Sequence, residues 1–211
     1  MLYWILLIYL VVAAIWPLVG LIAFACMIGP VAFSIYKGRY WCGNICPRGS
    51  YYDKLIARFS RKRKIPTFLR SVPFRVAVVL FLFTMFGIQV YLSWGDWSAI
   101  GRVFWTLILV TTLIGTGLGL FYSPRAWCTF CPMGSLSALV APRNRKKSSF
   151  KAICVDSSCV LCKKCAKVCP MQLKPYEAKG SEEGFLDPDC IKCGVCVSHC
   201  PKKAMTMKRH P

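Results

Sequence analysis

The sequence predicts a membrane all-α part of about four transmembrane helices, followed by a small α+β module built around cysteines. Three observations predict it. Of 211 residues, 56% are hydrophobic and the mean hydropathy is +0.49. Only 17% are charged, below the roughly 25% usual for soluble chains, yet the formal net charge is +20. Eight of the 14 cysteines fall in two tandem runs after residue 150. The apolar content excludes a disordered basic chain. The length and tandem cysteines argue against a small disulfide scaffold. The charge is interleaved with long apolar runs, which argues against a nucleic-acid binder. The chain divides into residues 1–151 and 152–211.

Residues 1–36 carry no charge, and Ser34 is the only polar side chain apart from tyrosines and tryptophans. A span needs about 20 residues, so two short helices, Leu2–Trp16 and Leu21–Tyr36, are expected, with Pro17 and Gly20 breaking the run. One long tilted helix is the alternative. A signal peptide fits poorly, because no basic n-region is present. Two further spans are Phe74–Trp94 and Val103–Tyr122. The link Ser93–Trp97 turns the chain between them. Trp94 and Trp97 fit one interfacial belt, and Tyr36, Tyr40, Trp41, Tyr122 and Trp127 fit the other. Gly115 and Gly119 form a GxxxG, a candidate close helix contact.

The charge then orients the chain. Segment 37–75 holds 11 Lys/Arg and one acid, and segment 123–151 holds six Lys/Arg and none. The positive-inside rule puts both on the cytoplasmic side of the inner membrane, with the Trp94–Trp97 turn outside. The runs Arg61–Lys64 and Arg143–Lys147 read as topology determinants and lipid-headgroup contacts. Asp53 and Asp96 read as solvated interface residues, Tyr51 and Tyr52 as interfacial anchors, with lining of a quinone headgroup site as their alternative role.

In the C-terminal module Cys159, Cys162, Cys165 and Cys169-Pro170 repeat as Cys190, Cys193, Cys196 and Cys200-Pro201. This is the spacing of bacterial-type ferredoxins with two 4Fe–4S clusters, in which the fourth cysteine of each run serves the other cluster. Cys159, Cys162, Cys165 and Cys200 are then expected to hold one cluster. Cys190, Cys193, Cys196 and Cys169 are expected to hold the other. Zinc is the competing metal, but its sites use CxxC pairs. Each proline fits the first turn of a helix beyond its cysteine. Ligand thiolates make each oxidised cluster site about 2−, so part of the basicity is a counter-charge.

A second duplication lies beside the membrane. Arg39-Tyr40-Trp41-Cys42-x3-Cys46-Pro47-Arg48-Gly49-Ser50 matches Arg125-Ala126-Trp127-Cys128-x2-Cys131-Pro132-Met133-Gly134-Ser135. Two spans separate the copies, so both face one side. Four cysteines, Cys42, Cys46, Cys128 and Cys131, make a candidate third iron–sulfur cluster near the cytoplasmic interface. Zinc, or redox-active or merely structural thiols, is the alternative.

Together these motifs resemble the NapH/NosR-type membrane polyferredoxins over nearly the whole chain, with the second membrane motif one residue shorter than CxxxCP. The resemblance implies electron transfer between the quinone pool or a membrane partner and a redox enzyme. The expected protein is a membrane-anchored iron–sulfur subunit relaying single electrons between a cytoplasmic redox partner and quinone or a membrane redox subunit. A quinol dehydrogenase in its own right, an assembly factor or redox sensor, and a zinc-binding scaffold are the alternatives. The two histidines, His199 and His210, lie in the tail, so no intramembrane haem is expected. Neither flavin nor nucleotide is expected either, no catalytic set is evident, and no nucleic acid is expected as a partner. His199 is expected to line a cluster loop, Cys26 to be a small buried hydrophobe, and Cys154 to be a spare thiol.

Overall fold

The computed structural model describes residues 2–141, 151–181 and 184–209. The basic run Arg143–Lys147 and His210 lie outside the described residues.

The first helix, α1 (Tyr3–Ile15), ends at Trp16, whose backbone is extended ahead of Pro17. A 3-10 turn over Pro17–Ile22 follows, and then α2 (Ala23–Lys37). The Tyr9 hydroxyl donates to the Gly20 carbonyl at 3.2 Å, folding α1 back on the turn. Two helices therefore form, as the break at Pro17 predicts, rather than one long one. α2 contains Pro30, which has no N–H to give the preceding turn.

Two short helices, α3 (Tyr40–Asn44) and α4 (Pro47–Tyr51), carry the first membrane cysteine motif. α4 continues through a π-turn, Tyr52–Ile56, into α5 (Ala57–Phe59). α6 (Val72–Leu92) begins with Pro73 in its first turn. α7 (Trp97–Phe121) is capped by Asp96, whose carboxylate accepts from the Ser98 N–H at 2.8 Å. Asp96 is thus a helix cap rather than only a solvated residue. α8 (Pro132–Val140) follows the second motif.

Among the described residues three helices are long and apolar enough to cross a membrane: Pro17–Lys37, Val72–Leu92 and Trp97–Phe121. α1 has 13 residues, about 20 Å, which is short of a hydrocarbon core of about 30 Å. The expected fourth span is therefore a shorter apolar helix, packed on α4 and α7. α6 has no buried residue and is apolar all round, the pattern of a helix whose outer surface meets lipid.

The two halves exchange helices. The α4–α5 segment packs along α7, while α8 packs on α2 and α6. Gly115 and Gly119 make this close approach possible: a side chain at Gly115 would meet the Tyr52 hydroxyl, and one at Gly119 would meet Ile56. The GxxxG is a helix contact, and its partner is the segment after the first cysteine motif. In the other half Ser137, the counterpart of Tyr52, donates to the Pro30 carbonyl of α2 at 3.1 Å. Tyr52 is fully buried and Trp127 is 4% exposed, packed with Phe130. Neither is an interfacial anchor, because the exchange of helices encloses both.

The C-terminal module has a two-stranded antiparallel sheet of β1 (Lys151–Val155) and β2 (Met205–Arg209), with Ile153 opposite Met207. Two short helices, α9 (Lys164–Val168) and α10 (Val195–Ser198), lie between them. Ile153, Val155, Cys165, Ala178, Cys196 and Met205 form its core. Both helices precede the fourth cysteine of their run. Pro170 and Pro201 open turns, not the helices expected beyond them. Pro47 and Pro132 do open helices.

Candidate metal centre

Four cysteines from the two membrane motifs, Cys42, Cys46, Cys128 and Cys131, line one cavity of about 230 Å³. Arg48 donates through Nη2 to Thr111 Oγ1 at 2.9 Å and to the Ile108 carbonyl at 3.3 Å. Thr111 is ten residues before the end of α7, so the Arg48 side chain meets that helix about 15 Å from its end.

Two buried arginines cross between the halves. Each begins a copy of the repeated motif, and each is 1% exposed. Arg39 Nη2 donates to the Cys128 carbonyl at 2.6 Å, and Arg125 Nη1 donates to the Cys42 carbonyl at 2.7 Å. A side chain at Gly134 would strike the Arg39 guanidinium, and one at Gly49 would strike that of Arg125. The repeat thus ties the cysteine loop of each half to the arginine of the other. Arg125 also pairs with Asp53, Nε to Oδ1 at 2.8 Å and Nη2 to Oδ2 at 2.5 Å. Asp53, whose side chain is 37% exposed, is therefore an ion-pair partner as well as a partly solvated residue.

The donor chemistry of this pocket fits an anionic iron–sulfur cluster. The arginines supply positive charge around thiolates. Burial, and then the charge of neighbouring Cys42, push the Cys46 thiol up to about 12. Burial also raises Cys128, with Cys131 and Cys42 adding to the rise and Arg125 opposing it. Metal or cluster binding takes such ligands as thiolates and releases their protons. Arg39 Nε and Trp127 Nε1 are buried without a partner among the described residues, and both residues line the cavity. No group of three His, Cys, Asp or Glu among the described residues is arranged to hold a single metal ion. Beyond the cysteines the cavity runs on past Tyr9, Cys26, Phe86 and Phe104. Cys26 is exposed, facing the cavity rather than a packed core.

The two cysteine runs of the module share one backbone pattern. Positive φ occurs at Leu161 and Lys192 (53° each), at Lys163 (59°) and Gly194 (75°), and at Gln172 (52°) and Lys203 (50°). These are equivalent positions in the two runs. Non-glycine residues in this region are uncommon, and the alternation turns backbone N–H groups inward to favour an anion. Cys169 lies with the second run: it lines a small pocket with Cys190, Cys193 and Cys196. Burial, then Cys190, Cys193 and Cys169, push Cys196 up to about 12. In the first run burial raises Cys165, with Cys159 and Cys162 adding to it. Cys200 packs against a core that is shared by Cys159 and Cys165 of the first run and Cys190 and Cys196 of the second. The Leu173 N–H donates to Cys169 Sγ at 3.4 Å. His199 is exposed and bonds locally to Ser198 and the Val195 carbonyl. Cys154 lies on β1 opposite Thr206.

The module docks on the membrane part through the second run. Asp189, next to Cys190, meets Arg39 at 2.9 Å and takes two bonds from Arg75, at 2.9 and 2.6 Å. Burial works to raise the Asp189 carboxyl, but Arg75 and Arg39 outweigh it and hold it below the usual carboxylate range. Gly43 backs onto the Ile191 carbonyl, and Asn44 donates to that of Lys192 at 3.4 Å. After Cys169, Met171 accepts from Arg70 at 2.6 Å. The Gln172 side chain clamps the Arg63 carbonyl at 2.9 Å and the Ile65 N–H at 3.0 Å. The basic run Arg61–Lys64 therefore leads into a docking segment. In the sequence Arg39 and Arg125 stand out only as the first residues of the two repeat copies. Their shared place, two residues before each Trp-Cys pair, is the sequence signal of that role.

The comparisons with known proteins agree with this geometry. A family model described as a 4Fe-4S binding domain matches residues 19–66 and again residues 98–150, one copy on each membrane motif. A 4Fe-4S dicluster domain model matches residues 158–205. Two uncharacterized proteins of Methanocaldococcus jannaschii are similar to the chain. One is 29% identical over 166 residues, covering 72% of this chain and 67% of its own. The other is 29% identical over 151 residues, covering 70% of this chain and 57% of its own. The chain thus spans between about half and two thirds of the relatives it matches. No solved structure matches it. The chain carries 4Fe–4S ferredoxin-type domains, one kind over its apolar helices and another in its C-terminal module.

Proposed function

We propose that this chain is a membrane-anchored electron-transfer subunit of the NapH/NosR-type polyferredoxins. It relays single electrons between a cytoplasmic redox partner and the quinone pool or a membrane redox subunit. In this reading Cys42, Cys46, Cys128 and Cys131 hold one 4Fe–4S cluster. Cys190, Cys193, Cys196 and Cys169 hold a second, and Cys159, Cys162, Cys165 and Cys200 a third. The clusters supply reversible one-electron chemistry when bound. The observation that carries the reading is the contact between two cysteine sets. Arg39 joins the Cys128 carbonyl to Asp189, the neighbour of Cys190.

The chain's own residues then have defined tasks. Arg39 and Arg125 balance thiolate charge and lock the two motif loops together. Asp189, Arg75 and Gln172 fix the module over the membrane set. The apolar continuation of the cavity past Tyr9, Phe86 and Phe104 supports access by an apolar redox molecule from the bilayer. The basic segments 37–75 and 123–151 support a cytoplasmic location for the module.

The test uses the full chain in detergent, reduced with dithionite and then mixed with a short-chain quinone. Recovery of the iron–sulfur absorbance is expected, slowed about tenfold or more in Cys42→Ser/Cys128→Ser, where the relay is broken. Protein without iron–sulfur absorbance, or equal recovery in the variant, overturns the reading.

A further inference from the structure

The two cysteine loops of the C-terminal module have one conformation and opposite surroundings. Val160 corresponds to Ile191 and Leu161 to Lys192, and the latter pair shares a φ of 53°. Ile191 is 2% exposed and Lys192 4%, whereas Val160 is 59% exposed and Leu161 47%. The cause of the burial is the membrane part, since Gly43 and Asn44 sit on Ile191 and Lys192. The loop Cys159–Cys165 has the same chemistry without that cover, and Cys162 itself is exposed.

The surroundings of the bare loop are cationic. Lys163, Lys164 and Lys167 are exposed in it and just after it, and Lys202 and Lys203 are exposed just beyond Cys200. Lys179, also exposed, donates to the Cys159 carbonyl at 2.6 Å. Two acids lie beside the loop: Asp156, whose carboxylate is engaged by Ser157 and Ser158, and exposed Glu177, which pairs with Lys174 at 3.1 Å, so the cations outnumber them. Two large apolar side chains inside a charged rim are the anatomy of a protein-docking patch. A rim of one sign selects a partner of the other and speeds its arrival.

We propose that the Cys159–Cys165 loop is the docking surface for an acidic, soluble one-electron carrier, and that the Cys190–Cys196 loop is the inward contact. This rests on the electron-transfer function proposed above and gives the relay an order. The carrier meets the first run, the second run follows, and the membrane set comes last. In each encounter the carrier is oxidised by one electron and this protein is reduced by the same electron. No bond forms or breaks.

The experiment mixes full-length, iron-loaded protein in stopped flow with two reductants. One is a reduced small acidic 2Fe–2S ferredoxin. The other is reduced methyl viologen, a small cation that needs no docking surface. The ferredoxin rate constant is expected to fall steeply with salt, and about tenfold in Lys164→Glu/Lys167→Glu. The viologen rate is expected to stay within about twofold. Lys202→Glu/Lys203→Glu, outside the cysteine loop, gives a second reading of the same surface. Iron and sulfide are counted in every variant first. Ferredoxin rates that ignore salt, or that equal wild type in both variants, overturn the docking surface alone. Wild-type protein that binds no iron and sulfide overturns the electron-transfer function and the docking surface with it.

Discussion

Arg39 meets Asp189 across 150 residues of chain, Nη1 to Oδ1 at 2.9 Å, while its other nitrogen holds the Cys128 carbonyl. The second buried arginine, Arg125, finds its carboxylate within the membrane part, at Asp53. Aligned on the Cys-Pro pairs, the position in the second half that matches Asp53 is Ala138. The C-terminal module therefore brings, in Asp189, the carboxylate that the second half lacks. That substitution makes the docking of the module part of the electrostatics of the membrane cysteines.

Asp189→Asn removes this carboxylate charge and leaves the guanidinia of Arg39 and Arg75 without it. Breaking a buried ion pair is strongly destabilising, and the 19% exposure of Asp189 moderates the cost. A loss of about 2 kcal/mol or more is expected in detergent unfolding. Asp189→Asn/Arg75→Met should cost less than the sum of the two single changes. Additive losses would mean that the pair is not coupled.

Ala138→Asp should partly restore the stability of Asp189→Asn protein, because it rebuilds in the second half the pairing that Asp53 makes in the first. In the wild-type background the same change should destabilise, since it buries a carboxylate in competition with Asp189. Both effects are readable by thermal unfolding. No restoration would show that the two halves are not equivalent around their arginines.

Gly115→Ala should destabilise by about 1–3 kcal/mol, the usual cost of overpacking. A methyl group there meets the Tyr52 hydroxyl. Tyr52→Phe removes that oxygen, which makes only a 3.5 Å bond to the Thr112 carbonyl, and should relieve part of the loss. An equal penalty for Gly115→Ala in both backgrounds would show that Tyr52 is not the neighbour that matters.

The ligand crossing in the module is open to a pairwise count. Cys169→Ser/Cys190→Ser should lose one cluster, about four irons, because both belong to one set. Cys169→Ser/Cys159→Ser should lose two, about eight irons, because they belong to different sets. The reverse pattern would mean that each run serves its own cluster.

The legible parts of this chain are those in which spacing alone carries the chemistry. The two cysteine runs, the repeated Cys-Pro motif, the break at Pro17 and the apolar runs that become α2, α6 and α7 are all local patterns. The misread residues are those whose surroundings come from elsewhere in the chain. Tyr52 and Trp127 look like interfacial aromatics until α4–α5 is laid on α7 and encloses them. Asp53 shows no local sign of an ion pair, because Arg125 arrives from 72 residues away. Pro170 and Pro201 repeat the Cys-Pro pair of the membrane motifs but open turns, because β2 and the docking segment take up the chain that follows. The pairing of Arg39 with Asp189 needs both the exchange between halves and the docking of the module, and neither is a short-range property.

The most direct test is the iron and acid-labile sulfide content of the full chain, with EPR, in wild type and in Cys42→Ser/Cys128→Ser. Three clusters predict about twelve irons in wild type and about eight in the variant, with one reduced-cluster signal lost. About eight irons in both proteins would contradict a cluster at the membrane cysteines.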